Sequence, residues 1–196
     1  MAISRSGERI AVGTGSGVVV YDGDTRKPIG EISSAQAVGV YITPADDFFV
    51  ATFGGELTQY DLETLEPIRP IGGSCGYVQE MYGTGDGSVI AVRGGDRTVT
   101  LYDVETGARM GAPIMIPESD FPVVALSYDG STMAVGGGRD NGVQVWSLEP
   151  DEWVEAACRL AGRDLTRAEW VANIGDLADY RPTCPQFPFE GGQSND

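Results

Sequence analysis

The sequence contains no histidine, and this absence excludes several kinds of active site. Histidine is the commonest general base and the commonest metal-binding side chain in proteins. A Ser-His-Asp triad and a histidine-based metal centre are therefore ruled out. The three cysteines, Cys75, Cys158 and Cys184, are too few for a four-thiolate zinc site and too scattered for a disulfide framework.

Basic residues and long apolar segments are also scarce. The 196 residues include 13 Lys and Arg against 29 Asp and Glu, a formal net charge of -16. This charge disfavours nucleic acid as a partner; it either keeps the protein soluble or complements a basic protein surface. No apolar run reaches the roughly 20 residues of a membrane-spanning helix, and the first residues lack a signal-peptide core. We therefore expect no membrane contact and a cytoplasmic location.

One segment of apolar, aromatic and acidic residues recurs four times along the chain. Its clearest copy is Val99-Thr-Leu-Tyr-Asp-Val-Glu-Thr106. The aromatic residues of the copies are Tyr21, Tyr60, Tyr102 and Trp146, at intervals of about 40 residues. A fixed interval of this length is typical of stacked supersecondary units.

Each copy is predicted to be the third strand of a four-stranded antiparallel unit. A short apolar run about ten residues earlier predicts a buried strand, and a glycine-rich link between the two predicts a hairpin turn. These runs are 10–13, 49–52, 90–93 and 133–136. Another strand precedes each run. A proline-containing strand follows the aromatic in the first three units, 110–116 in the third, as suits a sheet edge.

These units resemble the WD40 repeat family, with Tyr-Asp in place of Trp-Asp, over residues 1–148. The Gly-His dipeptide of that family is absent, and its hairpin aspartate is matched only by Asp96 and Asp140. The resemblance implies an all-β, WD40-like β-propeller segment of about four antiparallel four-stranded blades, with a short C-terminal helical cap. The expected blades are 1–32, 33–72, 73–117 and 118–148.

Ring closure is open to three interpretations. The chain begins within a blade, and its last blade lacks an outer strand, which favours the C-terminal part of a larger propeller or a shortened relative. A closed four-blade ring is the alternative, and two chains completing one ring is another. An incomplete ring would leave apolar blade faces in water, and exposed apolar faces of this kind mark protein-interaction sites.

Residues 149–185 are predicted to form the helical cap. Proline and acids at 149–152 begin one helix, and Gly162 ends it. Its apolar face is predicted to comprise Trp153, Ala156, Ala157, Leu160 and Ala161. Thr166-Arg-Ala-Glu169 is a capping box that begins a second helix, through Trp170 to about Asn173. Residues 179–185 are expected to be extended, and the tail 186–196 disordered.

Trp153 and Trp170 either pack this cap against the open edge of the last blade or present an interface. We favour the cap, because edge strands need cover.

The cap resembles the propeller end of actinobacterial STAND-type signal-transduction ATPases and transcriptional regulators. The matching residues are Trp153, Ala157-Cys158, Leu160-Ala-Gly-Arg-Asp-Leu-Thr-Arg-Ala-Glu-Trp170, Tyr180 and Thr183-Cys-Pro185. The chain has no phosphate-binding loop, so no nucleotide chemistry carries over. The resemblance implies the sensor or interaction end of such a protein.

Cys158 and Cys184 are a candidate disulfide pair, which would stabilise the cap by about 3 kcal/mol through loop closure. The alternative is two free thiols, which a reducing cytosol favours. Cys75 lies in a glycine-rich turn without a histidine base and is interpreted as incidental.

The acidic and glycine-rich loops are interpreted as structural. Asp22, Asp61 and Asp103 each precede a threonine by three residues, and their repetition favours local turns over ligand binding. The glycine-rich loop 13–17 lies in a hairpin and lacks the helix N-terminus of a phosphate site. The acids at 46–47 and 118–120 are expected to be solvated.

We therefore predict a non-catalytic protein-protein interaction or sensor module, part of a larger signalling or regulatory protein. No catalytic, cofactor-binding or metal-binding residue is assigned, and the partner is expected to be a protein, with a homodimer that completes the ring as one form. One alternative is a truncated structural remnant that self-associates. Another is a histidine-free propeller hydrolase or lyase that uses Asp, Glu and a divalent metal.

Overall fold

Residues 1–72, 76–116, 122–137 and 142–188 are described by a computed structural model of the chain. The chain divides into two units, Met1–Trp146 and Ser147–Asp196. The first unit is built from antiparallel sheets, and the second contains the helices. Within the described ranges, no helix is both long and apolar enough to cross a membrane.

Four antiparallel sheets follow one another along the first unit, each with its strands in chain order. The first sheet contains β1 (Ala2–Ile3), β2 (Arg9–Thr14), β3 (Gly17–Asp22) and β4 (Pro28–Ser33). The second contains β5 (Ala37–Ile42), β6 (Phe48–Thr52), β7 (Leu57–Tyr60) and β8 (Pro67–Pro70). The third contains β9 (Val78–Gly83), β10 (Val89–Gly94), β11 (Thr98–Asp103) and β12 (Ile114–Met115). The fourth contains β13 (Val123–Leu126), β14 (Thr132–Gly136) and β15 (Gln144–Ser147).

The repeated aromatics occupy equivalent places in successive sheets. Tyr21 lies opposite Ile10 in the first sheet, Tyr60 opposite Phe48 in the second, and Tyr102 opposite Ile90 in the third. Trp146 lies in β15, the third strand of the fourth sheet. We call the face that carries these residues the aromatic face, and the other face the opposite face. The predicted fold class, a segment of a propeller with helices after it, is confirmed.

The sheets pack face to face in chain order. Two clusters of buried apolar side chains lie between the first and second sheets and between the second and third. The first cluster joins Ala11, Val18, Val20 and Ile32 from the opposite face of the first sheet to Val40, Ile42, Phe48 and Val50 from the aromatic face of the second. The second joins Phe49, Ala51 and Leu57 to Ile90, Val92 and Tyr102 in the same manner.

The fourth sheet continues this arrangement. Val124 pairs with Val135 and Leu126 with Met133, so these residues share one face, and Val124, Met133 and Val135 are buried. Strand β13 contacts β9 of the third sheet. Each sheet in the stack therefore covers the aromatic face of the next one.

One predicted outer strand differs from the structure. The outer strand expected at 110–116 is reduced to Ile114–Met115, because Gly111 adopts a left-handed conformation (φ 71°) and Pro113 has no N–H to donate. In the fourth sheet, the described residues form three strands, and an outer fourth strand is not among them, in agreement with the sequence.

The second unit contains α1 (Pro150–Ala161), α2 (Arg167–Asn173) and a 3₁₀ turn (Gly175–Leu177). Gly162 ends α1 in a left-handed conformation (φ 65°). The predicted capping box of α2 is present: the Glu169 N–H donates to the Thr166 hydroxyl at 3.2 Å, and the Thr166 N–H donates to the Glu169 carboxylate at 2.9 Å.

The predicted apolar face of α1 is wrong at Ala157, Leu160 and Ala161, whereas Trp153 and Ala156 are partly buried. The buried residue of this helix is Cys158, whereas Ala157 and Ala161 are exposed and Leu160 is 89% exposed. Two residues along an α-helix correspond to a rotation of about 200°. Because Cys158 faces inward, Leu160 points to the other side.

Candidate interaction surfaces

The aromatic face of the first sheet lacks the cover that the other sheets have. Ile10 and Val12 on β2 are partly exposed, and Ile3, which pairs with Ile10, is 53% exposed. The residues of β6, β10 and β14 that correspond to Ile10 and Val12 are fully buried. These are Phe48, Val50, Ile90, Val92, Met133 and Val135. We call this surface, formed by Ile3, Ile10, Val12 and Val19, the leading face.

The opposite face of the fourth sheet is open in the same way. Val123 and Ala125, which alternate with the buried Val124, are exposed, Val123 by 61%. Val145 precedes Trp146 and so lies on the opposite face; it is 65% exposed. Its equivalents Val20, Gln59 and Leu101 are buried. We call this surface, formed by Val123, Ala125, Ala134 and Val145, the trailing face.

The two open faces exclude the closed four-blade ring that the sequence left as an alternative. In such a ring the trailing face would cover the leading face, as the other sheets cover one another. Both faces instead expose valine and isoleucine to water. The first unit is therefore an open stack of four sheets.

A cavity of about 460 Å³ lies where the innermost strands of the four sheets end. It is lined by Ile3, Arg5, Tyr41, Ile42, Thr43, Pro44, Gly83, Thr84, Gly85 and Tyr128. The Tyr41 hydroxyl donates to the Thr84 carbonyl oxygen, and the exposed Tyr128 ring packs against Gly85. Burial, and next the charge of Asp86, raises the pKa of Tyr41 to about 12, so this hydroxyl remains a hydrogen-bond donor at neutral pH.

A polar network connects the second and third sheets at a second cavity, of about 340 Å³. The Arg69 guanidinium donates to the Gln59 side chain at 2.8 Å and to the Val104 and Glu105 carbonyl oxygens at 2.9 and 3.0 Å. Gln59 donates to Asp47 at 2.9 Å.

This network corrects the prediction for Asp47. The sequence predicted a solvated loop charge, but the carboxylate accepts hydrogen bonds from Gln59 and from the Thr43 hydroxyl. The only sequence signal for Arg69 is a basic residue between two prolines in an outer strand.

The repeated aspartates form local turns, as predicted. Asp22 accepts hydrogen bonds from the N–H and the hydroxyl of Thr25, both at 2.7 Å. Asp61 and Asp103 hold Thr64 and Thr106 in the same way. The bonds from Thr25 lower the pKa of Asp22 below its usual 3.8. The loop 13–17 connects β2 to β3 as a hairpin.

The second unit joins Cys158 and Cys184 by a disulfide bond, with Cα atoms 5.5 Å apart. Beside it, one carboxylate oxygen of Asp164 accepts the N–H groups of Leu165, Thr183 and Cys184 at 2.8, 3.0 and 3.3 Å, and the Thr183 hydroxyl. Burial would raise the pKa of Asp164, but these hydrogen bonds, above all from Thr183, lower it. The bridge and the carboxylate together hold the segment at 183–184 against the helices.

The two tryptophans of the second unit bind its own backbone. The Trp153 indole donates to the Ser147 carbonyl oxygen at 2.6 Å, and the Trp170 indole donates to Ala178 at 2.9 Å. Trp170 is buried and meets the Tyr180 ring edge to face, with centroids 5.7 Å apart. That Trp153 and Trp170 cover the open edge of the last blade stays a prediction.

Several sequence predictions lie outside the described residues: those for Cys75, Asp140, the acids at 118–120 and most of the tail 186–196. Across the described ranges, no group of three or more Cys, Asp or Glu side chains is placed to hold a metal ion.

Comparisons with known proteins agree with this architecture. The chain is 33% identical over 92 residues to a coronin-like protein of Saccharomyces cerevisiae; the match covers 46% of this chain and 14% of that protein. The solved structure of hydrazine synthase from Kuenenia stuttgartiensis matches with a TM-score of 0.62 and 19% identity, over 75% of this chain and 45% of that chain. No protein-family model matches. The sheets and the structural likeness show that the first unit has the fold of a β-propeller segment.

Proposed function

We propose that this propeller segment is a non-catalytic protein-interaction module of a larger signalling or regulatory protein. The observation that carries the proposal is the pair of open apolar faces, leading and trailing. At the positions of Ile10 and Val12 on the leading face and of Val145 on the trailing face, the other three sheets carry buried side chains. Each square ångström of apolar surface that a partner covers contributes about 25 cal/mol.

The partner class follows from shape and charge. A sheet face of this kind fits another packed sheet or an apolar protein surface, because its side chains stand on a pleated, half-buried plane. The net charge of -16 repels the phosphates of nucleic acids. A protein is therefore the partner that both features favour.

The signalling role is supported by the resemblance of the cap to the end of STAND-type regulators. The chain spans 14% of the length of the coronin-like relative and 45% of the structural neighbour. Because the chain spans only part of these proteins, its membership of a larger signalling protein is proposed.

We also place the protein in the cytoplasm. There the glutathione pool would reduce the Cys158–Cys184 bridge that the structure contains. Protein taken directly from cells and denatured without reductant should then show three free thiols rather than one. A single free thiol would contradict this location.

A capture experiment tests the interaction role. The full chain is immobilised beside an Ile3→Asp/Val145→Asp variant, which places one charge on each open face. The matched control is Ile68→Asp, because Ile68 is similarly exposed, at 56%, but lies on the outer strand β8 of the interior second sheet. We expect a stoichiometric protein to bind the native chain and the control but not the double variant. Equal capture by all three would contradict the proposal.

A further inference from the structure

The three junctions between neighbouring sheets are built in one way. In each, the opposite face of one sheet lies against the aromatic face of the next. At the first junction Ala11 and Val20 meet Phe48 and Val50, and all four side chains are buried. The junction is directional, because its two sides come from different faces of the sheet.

The two open faces are the two sides of one more junction of this kind. The leading face is an aromatic face, and Ile10 and Val12 occupy the places of Phe48 and Val50. The trailing face is an opposite face, and Ala134 and Val145 occupy the places of Ala11 and Val20. The trailing face is therefore the kind of surface that covers an aromatic face in the stack, and the leading face is an aromatic face without such cover.

We propose that a second copy of this chain covers both faces, head to tail, and closes an eight-bladed ring. The trailing face of each copy packs on the leading face of its partner, so two equal junctions form. Eight sheets lie within the range of about four to eight blades that propellers use. This inference names the partner of the surfaces on which the proposed function rests.

A second copy fits these surfaces better than an unrelated protein does. An unrelated partner of one face would leave the other face in water, whereas a second copy carries the counterpart of each face on one packed stack of sheets. A two-fold arrangement also closes, so that directional junctions do not grow into a filament.

Charge gives the association a recognisable salt dependence. Each copy carries a net charge of -16, so two copies repel each other, while the surfaces that meet are apolar. Added salt screens the repulsion and leaves the apolar contact intact. We expect the dimer to tighten as sodium chloride rises from about 20 mM to 300 mM.

The first measurement is sedimentation of the full chain over a range of concentrations. The expected species has twice the mass of the chain. A monomer at about 100 μM, or a series of growing oligomers without a dimer limit, would overturn the proposal. A monomer that still captures another protein through these faces would overturn the dimer alone and leave the proposed function standing.

One-sided variants test the head-to-tail arrangement. Ile3→Asp alters only the leading face and Val145→Asp only the trailing face. Each alone damages both junctions of its own dimer and should weaken dimerisation about 100-fold or more, because it buries an unpaired charge. An equimolar mixture restores one junction between two native faces, so mixed dimers should form. Ile68→Asp should dimerise like the native chain.

The mixture of the two variants distinguishes the head-to-tail dimer from misfolding of a variant and from a dimer that joins like faces. A variant that had failed to fold could not be rescued by mixing, so rescue also shows that both variants are folded. If only one of the two variants lost dimerisation, the contact would join like faces, and the head-to-tail ring would be wrong. Absence of mixed dimers when both variants melt like the native chain would also overturn it.

Discussion

Reduction of the Cys158–Cys184 bridge should loosen the second unit and leave the sheets unchanged. The bridge joins α1 to the segment after the 3₁₀ turn, across 26 residues of chain. In the loop-closure model, releasing a loop of this length lowers the free energy of unfolding by about 3.5 kcal/mol. That corresponds to a roughly 300-fold higher population of the open form. The hydrogen bonds of Asp164 remain, so the unit should keep its folded state.

Hydrogen exchange measures this effect where it occurs. A Cys75→Ser background removes the third thiol, which could otherwise exchange with the bridge, and the same sample is compared before and after reduction. Amides of α1 and α2 should exchange up to about 300-fold faster, while those of the buried strand β10 serve as the internal control. A change below threefold in both helices, or an equal change in β10, would refute the loop-closure argument.

Three further predictions concern the first unit. Phe49→Ala should lower the free energy of unfolding by about 3–5 kcal/mol, because the ring is fully buried between the second and third sheets; a loss below about 1 kcal/mol in urea denaturation would count against this packing. Gly83→Ala should cost about 1–3 kcal/mol in the same assay, because the added Cβ would overlap the Tyr41 ring; an unchanged midpoint would contradict it. Hydrogen bonds, first from Ser127, lower the pKa of Asp129 to about 2, below its usual 3.8, so its contribution is present above pH 3.8 and lost as the pH falls through 2. An NMR titration midpoint near 3.8 would show that this turn does not hold the carboxylate.

The sequence was sufficient to predict the four sheets, because their signals are local. Each hairpin depends on glycine within a few residues, and each buried strand is a short apolar run. Tyr21, Tyr60 and Tyr102 repeat at an interval that only a repeated unit produces. The capping box at Thr166 and Glu169 was predictable for the same reason: both partners lie within one turn.

Features that depend on distant contacts were missed or misread. The apolar pattern of α1 predicted an inward Leu160, but the bridge at Cys158 sets the rotation of the helix. Arg69 reaches carbonyl oxygens of the next sheet, and its partner Gln59 reaches Asp47. Neither contact follows from sequence spacing, because each needs two segments that only the stacking brings together.

The burial of a repeated tripeptide also depends on distant contacts, and this is why ring closure could not be predicted from local sequence. The tripeptide Ile-Ala-Val occurs at 10–12 and again at 90–92. In β10 all three side chains are buried, whereas in β2 only Ala11 is buried and its two neighbours are partly exposed. The two segments are identical, so the difference comes from position in the stack.

A blade of this type therefore has two apolar faces at any position in the stack, and each face is buried only when another apolar surface covers it. Within the stack each such face is covered by a neighbouring sheet, whereas the leading and trailing faces are not covered by another of the four described sheets. Val145 at one end and Ile3 at the other are apolar, like Val20 and Ile42 at the equivalent interior positions, but their side chains are 65% and 53% exposed. That surface is costly as long as it is uncovered, at about 25 cal/mol for each square ångström. The association that we propose would therefore be driven by the same kind of apolar contact that holds the four sheets together.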